Sequence, residues 1–413
     1  MPQLTDETAT ATDESGTETG GTGTATDETE TDETATATYA TGETGTATDE
    51  TKTATGETGT ATDACAAGGP ARPVADGAAG QGRAAVVTGT WMTPQEYGAS
   101  RAGLWAGAVV LVTDTDGRVL VQSVDYRPDR LLPGGAVDPG EAPSAAAARE
   151  VREELGVDGH YPRALAVDWI PADSPSFPPE MHFPGEILHV FDGGTWTPDR
   201  IAAVRLPARE VTGIAFAEPA DLPALMDAGD ARRTLSALRA RVNGAGPALL
   251  EDGRPVLPTA LDRLGVLRTR RIPQHGAWHP GPLPAPLTET DHTAWLFAPD
   301  GRVLVLVARA TGAVCLPPRA AGGPAPGVLP LGYRLADGAV HARSAGRLSP
   351  VPAAADPAYA RLLATPEQVR ELSDWGQAGH RELAAVHAAR DRLGLPAALR
   401  TPPVELPAQD TRR

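Results

Sequence analysis

Between Gly135 and Val157 the chain reads GAVDPGEAPSAAAAREVREELGV, and Glu141, Arg149, Glu150, Glu153 and Glu154 within it are of types and at spacings that can do chemistry. Glu150, Glu153 and Glu154 stand at i, i+3 and i+4, so a helix gathers all three on one face. Ala147, Val151 and Leu155 recur every fourth residue as an apolar stripe on another face, which is what predicts the helix. Pro143 suits its first turn, Ser144 or a neighbour can cap it, and Gly156 supplies the stop. Three carboxylates so placed repel one another, each close pair costing roughly 0.2–0.5 kcal/mol. Arg149 can pair with Glu153 along the helix, but one guanidinium cannot match three charges. A divalent cation can, and clustered hard oxygen ligands without nearby Cys or His favour Mg²⁺ or Mn²⁺ over zinc. A merely solvated acidic helix would carry the same charges, but it explains neither the Gly-rich approach nor the spacing from Glu141.

The segment resembles the Nudix box, GX5EX7REUXEEXGU with U aliphatic. Gly135, Glu141, Arg149, Glu150, Val151, Glu153, Glu154, Gly156 and Val157 fill every fixed position. The resemblance implies an α/β fold, a Nudix-type α/β/α sandwich with a mixed sheet. It also implies an enzyme, a pyrophosphohydrolase that cleaves the diphosphate linkage of a nucleoside diphosphate derivative, NDP-X, by water attack at phosphorus. The catalytic candidates are then Glu141, Arg149, Glu150, Glu153 and Glu154. By motif position the main metal ligands are Glu153 and Glu154, with Glu150 and the Gly135 carbonyl completing the cluster. Arg149 orients the carboxylates, and Glu141 braces the loop through Arg149. Mg²⁺ is the implied cofactor, with Mn²⁺ as a substitute. The general base stays open among Glu150, Glu186 and Glu210. Many family members carry Trp where this chain has Arg130, a departure that bears on substrate packing. The alternative reading is a nucleotide-derivative sensor that keeps the fold without turnover.

The elements that must position this helix can be read on either side of it. Trp105 to Val124 is a β-branched run folded around Asp116-Gly117, a strong hairpin signal, and Leu132-Pro133-Gly134-Gly135 turns the chain into the box. AVV at 85–87 is a shorter run before it. After the box, strands are expected from Arg163, from Glu186 with its end near Gly193, and from Val211, the last followed by a short helix and by an amphipathic helix from Ala231. Arg127 and Arg130 are candidates to hold phosphate oxygens and Tyr126 to stack on a base. Trp105, His182 and Phe183 are further stacking candidates.

An internal repeat follows at an offset of 184 residues: TDGRVLVQS at 115–123 resembles PDGRVLVLV at 299–307, and Leu132-Pro133 aligns with Leu316-Pro317. The chemistry does not repeat, since Glu150 becomes Arg334 and Glu154 becomes Gly338. The expected organisation is a disordered Thr/Glu/Asp/Ala/Gly-rich tail and linker at 1–82, a Nudix domain at 83–245, a second, smaller α+β unit at 255–345 that reads as a degenerate Nudix-like unit, and a C-terminal helical segment at 346–400. That last segment opens on a capping box at Thr365, with Gly376 and Gly379 as breaks. His275 with His279, and His380 with His387, are read as ordinary histidines.

Charge is unevenly placed. Residues 1–65 hold fifteen carboxylates against one lysine, −14 of the formal −17, so the rest of the chain carries only −3. A segment so acidic and so poor in apolar residues predicts disorder. The near-neutral remainder shows no footprint for nucleic acid, and the basic cluster Arg268, Arg270 and Arg271 lacks interleaved aromatics. Two cysteines, Cys65 and Cys315, offer no disulfide framework. With no signal sequence and no run long enough to cross a bilayer, the expectation is a cytoplasmic protein without membrane or nucleic-acid partners, acting on a nucleoside diphosphate-linked small molecule, with a homodimer allowed.

Overall fold

The computed structural model describes residues 92–207, 210–271, 276–318, 327–336, 338–348, 356–373 and 378–407. The expectations for the tail at 1–82, the run at 85–87, His275 and Gly376 lie outside them. Chain order gives α1 (Pro94–Ala99), β1 (Trp105–Asp114), β2 (Val119–Val124), β3 (Gly134–Ala136), α2 (Pro143–Leu155), β4 (Ala164–Ile170), β5 (Glu186–Trp196), α3 (Pro198–Ala202), β6 (Val211–Ala217), α4 (Leu222–Leu225), α5 (Ala228–Asn243), β7 (Ala248–Glu251), β8 (Arg254–Pro255) and α6 (Ala260–Arg263). There follow β9 (Ala277–Pro280), β10 (Asp291–Phe297), β11 (Val303–Ala308), β12 (Val314–Cys315), β13 (Leu329–Ala336), β14 (Ala339–Arg347), β15 (Tyr359–Ala364), α7 (Pro366–Leu372), α8 (Ala378–Arg392) and β16 (Val404–Glu405).

The first sheet runs β6-β2-β1-β5-β4-β7-β8, with β3 paired to β1. It is mixed: β1 is antiparallel to β2 and β3 and parallel to β5. Alternation along β1 divides its side chains between two faces. Ala108, Val110 and Val112 pack with Ala147, Val151 and Leu155 of α2. Leu111, on the other face, shares a core with Leu235 and Leu238 of α5. This is the α/β/α sandwich, and the apolar stripe of α2 seats the helix on β1, with Glu154 bonded to Gln122 of β2 and to Gly134 of β3.

The second sheet runs β16-β15-β11-β10-β14-β13-β9, with β12 paired to β11. Its path β15-β11-β10-β14-β13 repeats β6-β2-β1-β5-β4 strand for strand, including the central parallel pair. The offset of 184 holds in the backbone. Thr113 faces Val119 as Phe297 faces Val303, and the amide of Val110 donates to Pro133 as that of Ala294 donates to Pro317. What differs is the insert. Val109 lies opposite Val190, whereas Thr293 lies opposite Arg343, so 81 residues of path shrink to 50. Ten residues separate Pro318 from Leu329, fewer than the thirteen that α2 occupies.

Several boundaries depart from the sequence reading. β5 runs past Gly193 to Trp196 because it pairs with β1 up to Asp114. The first sheet extends beyond residue 245 through β7 and β8, since β7 adds parallel to β4. The boundary expected at 345 falls inside β14, and β15 and β16 belong to the same sheet, so the last segment is not helical alone. The second unit is not smaller in strand number: each sheet has eight strands among the described residues. Gly379 lies within α8 instead of breaking it, while the Thr365 capping box is present as expected. One apolar cluster joins both sheets, α5, α7 and α8, and residues from 89 onward form one compact unit.

Candidate active site

α2 begins without the expected serine cap. Ala142 is the N-cap in extended conformation, with no side-chain cap bond, and Pro143 occupies the first turn. The helix ends on Gly156 at φ 67°, a left-handed conformation that suits glycine. Between these ends Arg149 is the hub. Its Nε and Nη2 donate to the two oxygens of Glu141 at 3.1 and 3.0 Å, its Nη1 donates to Glu150 at 2.9 Å and Glu153 at 3.2 Å, and Nη2 also reaches the Ala136 carbonyl at 3.0 Å. Glu141 in turn accepts from the Asp138 amide. The guanidinium therefore ties the loop after β3 to the helix. Its hydrogen bond holds the Glu141 carboxyl below the usual carboxylate range, and Glu141 in return raises the arginine.

Glu154 has a different environment. It is 6 % exposed and accepts from the Gln122 amide on β2 and from the Gly134 N–H at 2.8 Å. Burial pushes its carboxyl up to about 7; the two hydrogen bonds oppose the shift, and the Glu150 and Glu210 carboxylates add to it. Glu150 is raised for the same first reason, burial, against the pull of Arg149. Its carboxylate lies over Gly135, where a Cβ would stand 2.6 Å from Oε1.

Glu150 and Glu153 both accept from Arg149 Nη1, at 2.9 and 3.2 Å, and Glu150 acts in turn on the buried Glu154; of the three carboxylates Glu153 is the one left half exposed. Among the described residues no three acidic, histidine or cysteine side chains form a ready cation cage; Gln122 and Gly134 donate to Glu154, and Arg149 to Glu150 and Glu153. The donor set nonetheless fits a hard divalent cation: a buried carboxylate, Glu154, with the Glu150 and Glu210 carboxylates near enough to act on it, is what such an ion stabilises.

The structure also separates the candidate bases. Glu210, held at φ 73° with its carbonyl on the Asp125 amide, is close enough to raise both Glu150 and Glu154. Glu186 instead faces Arg233, Asp230 and Asp168 on the α5 side and is raised by burial. Of the substrate candidates, Tyr126 is 63 % exposed and its hydroxyl is raised by burial and then by Glu210 and Glu154, which places it at the rim. Arg127 pairs with Asp129 at 3.4 Å and Asp230 at 3.8 Å. Arg130 shows only a backbone bond, to Leu225. Phe177 stacks on Phe183 with centroids 3.8 Å apart, and Trp105 stands edge-on to both. Sequence reasoning missed Gln122. A lone amide inside the apolar run VLVQSV, fully buried here, was the available signal.

With this geometry in place the relatives can be compared. Residues 103–238 match the NUDIX domain family model. A Nudix hydrolase of Rhodococcus erythropolis is 34 % identical over 125 residues, covering 24 % of this chain and 68 % of that protein. Diphosphoinositol polyphosphate phosphohydrolase 2 of Rattus norvegicus is 41 % identical over 63 residues, 15 % of this chain, and the match spans only 35 % of that protein's length. An ADP-ribose pyrophosphatase crystal structure from Streptococcus suis is 19 % identical with a TM-score of 0.27, covering 36 % of this chain and 99 % of that one. The complete box, the sandwich around it and the Rhodococcus match place the chain in the Nudix hydrolase family. No helix among the described residues is long and apolar enough to cross a membrane.

Proposed function

We propose that the chain is a Mg²⁺-dependent pyrophosphohydrolase that cleaves the diphosphate linkage of a nucleoside diphosphate derivative by water attack at phosphorus. The observation that carries the reading is the buried Glu154, braced by Gln122 and Gly134 and flanked by Glu150 and Glu210. Such crowding raises the energy of the ionised site unless a cation is bound there, which is the arrangement a metal-assisted hydrolase needs. Glu150, Glu154, Glu153 and the Gly135 carbonyl would hold the ion, which when bound screens the phosphates and lowers the pKa of its water. Arg149 keeps Glu150 and Glu153 oriented and transmits the position of the loop through Glu141. Glu210 is the favoured proton acceptor over Glu186, because it lies near Glu150 and Glu154 whereas Glu186 faces Arg233 of α5. Tyr126 at the rim and Trp105, 43 % exposed beside two phenylalanines, offer faces for a base, while Arg127 is drawn toward α5. The second sheet, with the same strand order and a shortened insert, is read as a Nudix-like unit that has lost its metal helix and now serves as scaffold.

The deciding experiment is a panel of nucleoside diphosphate derivatives, with diphosphoinositol compounds added, assayed with Mg²⁺ and Mn²⁺ and scored for the bond broken. Turnover of at least one nucleoside diphosphate derivative supports the proposal. Saturable binding of such a compound without any turnover would favour a sensor.

A further inference from the structure

Away from the carboxylate cluster, at the turn between β1 and β2, a cavity of about 110 Å³ is lined by Thr113 and Gly117 of the hairpin, Arg241 of α5, Arg271, and Arg370 and Glu371 of α7. The carboxylates that line it, Asp114, Asp116 and Glu371, and those that pair with its arginines, Asp192 and Glu218, are each matched. Arg118 holds Asp114 and Asp116, Arg241 and Arg163 hold Asp192, Arg271 holds Glu218, and Arg400 holds Glu371. Arg370 has no acidic partner among the described residues. It is the surplus cation of the group.

The donors are also in surplus. Arg241 is largely buried and uses its two terminal nitrogens on Asp192, Thr113 and the Leu111 carbonyl, leaving its buried Nε without an acceptor. The Nε of Arg370 is likewise buried and unpaired. Arg271 grips Glu218 through Nε and Nη2, and its Nη1 lies 2.5 Å from where a Cβ on Gly117 would be, so the turn glycine is what admits it. A buried N–H left unsatisfied is destabilising, so these side chains hold donor capacity that the fold itself does not use.

The geometry points to a binding site for a tetrahedral oxyanion, a phosphoryl group held by Arg241, Arg271 and Arg370 where the first sheet meets α7. Guanidinium edges match phosphate oxygens in charge and direction. The volume sets the size. It lies below the roughly 300–1,000 Å³ of sites that enclose whole drug-sized ligands and suits a phosphoryl group. Two sources carry that chemistry, free orthophosphate and the exposed phosphoryl end of a monoester.

Equilibrium dialysis of the full chain against labelled orthophosphate, in excess EDTA so that no metal-bridged binding contributes, tests this without any assay of turnover. One saturable site per chain is expected, weakened at least tenfold in Arg370→Gln and unchanged in Glu154→Gln. A nucleoside 5′-monophosphate that displaces the label at equal concentration would identify the monoester end as the ligand, and failure to displace it would identify free phosphate. Absence of saturation up to about 10 mM, equal binding by Arg370→Gln, or loss of binding in Glu154→Gln would overturn the assignment. Arg370 lies partly exposed on α7 and holds no ion pair among the described residues, so its variant is expected to fold; a melting temperature matching the parent chain confirms that the readout is binding.

Discussion

Arg149 and Glu154 divide the work of the box between them, one by gathering partners and the other by being deprived of water. Because Glu154 is buried and Glu153 half exposed, the two are not equivalent despite their adjacent places in the motif. Glu154→Gln is expected to lower kcat by about 10²–10³-fold, the scale of losing one charge-stabilising group at a reaction centre, with the melting curve nearly unchanged. Steady-state kinetics with Mg²⁺ checks this, and turnover within a few-fold of the parent would remove Glu154 from the machinery. Gly135→Ala makes a sharper demand. Its new Cβ would meet Glu150 Oε1 at 2.6 Å, the far end of a flexible side chain, so the carboxylate moves while the backbone stays. Activity should drop about tenfold or more, some 1.4 kcal/mol of barrier, with little loss of stability.

At the scale of elements, α5 shows how a helix on one face supports a site on the other. Asp227 caps it, accepting from the Gly229 N–H at 2.8 Å and from Ser176 at 2.7 Å. α5 then carries Arg233 onto Asp168 of β4 at 2.7 Å, both buried. The second unit builds the same brace with the charges exchanged: Arg334 of β13 meets Glu382 of α8 at 2.7 Å, also buried. Asp227→Ala should cost about 1 kcal/mol, the usual worth of an N-cap. Burial raises the Asp227 carboxyl, but the bonds from Ser176 and the Gly229 and Ala228 amides outweigh it and hold the group below its ordinary value. A folded-state pKa lowered in this way stabilises above the unfolded value and is lost as pH falls through the folded one. Denaturant melts at pH 7 and near pH 3 should therefore show the penalty of the variant shrinking at the acidic end; an equal penalty at both would argue that the cap acts through shape alone.

The whole molecule behaves as one body from residue 89 onward, because a single apolar cluster crosses from one sheet to the other. Ending the chain at residue 245 would expose Leu235 and Leu238 of α5 on the side where Val369 and Leu372 of α7 belong to the same core. Such a truncation is expected to aggregate or to melt at a markedly lower temperature, whereas the full chain unfolds in one calorimetric transition. Two separated transitions, or an intact 89–245 fragment, would refute the shared core. Removing residues 1–64 tests the opposite case. They contain most of the net charge and none of the site residues, so kcat/KM should stay within about twofold, against the tenfold change that about 1.4 kcal/mol of barrier would give.

The box, the helix, both hairpins and the 184-residue offset were legible in the sequence because each is local: a period, a turn signal or a spacing read along one stretch of chain. The lost chemistry of the repeat could not be read by a constant offset: the shortened insert breaks the 184-residue spacing beyond Pro317, and Arg334, aligned with Glu150 in the sequence, stands in β13, the counterpart of β4. Only the tertiary structure decided how far each carboxylate is buried, since Gln122 and Gly134 reach Glu154 from residues 32 and 20 positions away, while Glu153 stays half exposed beside Arg149. It also set Glu186 apart from the box, beside Arg233 of α5, and brought Glu210 near Glu150 and Glu154. Desolvation and charge proximity depend on what closes over a side chain, and no spacing along the chain encodes that.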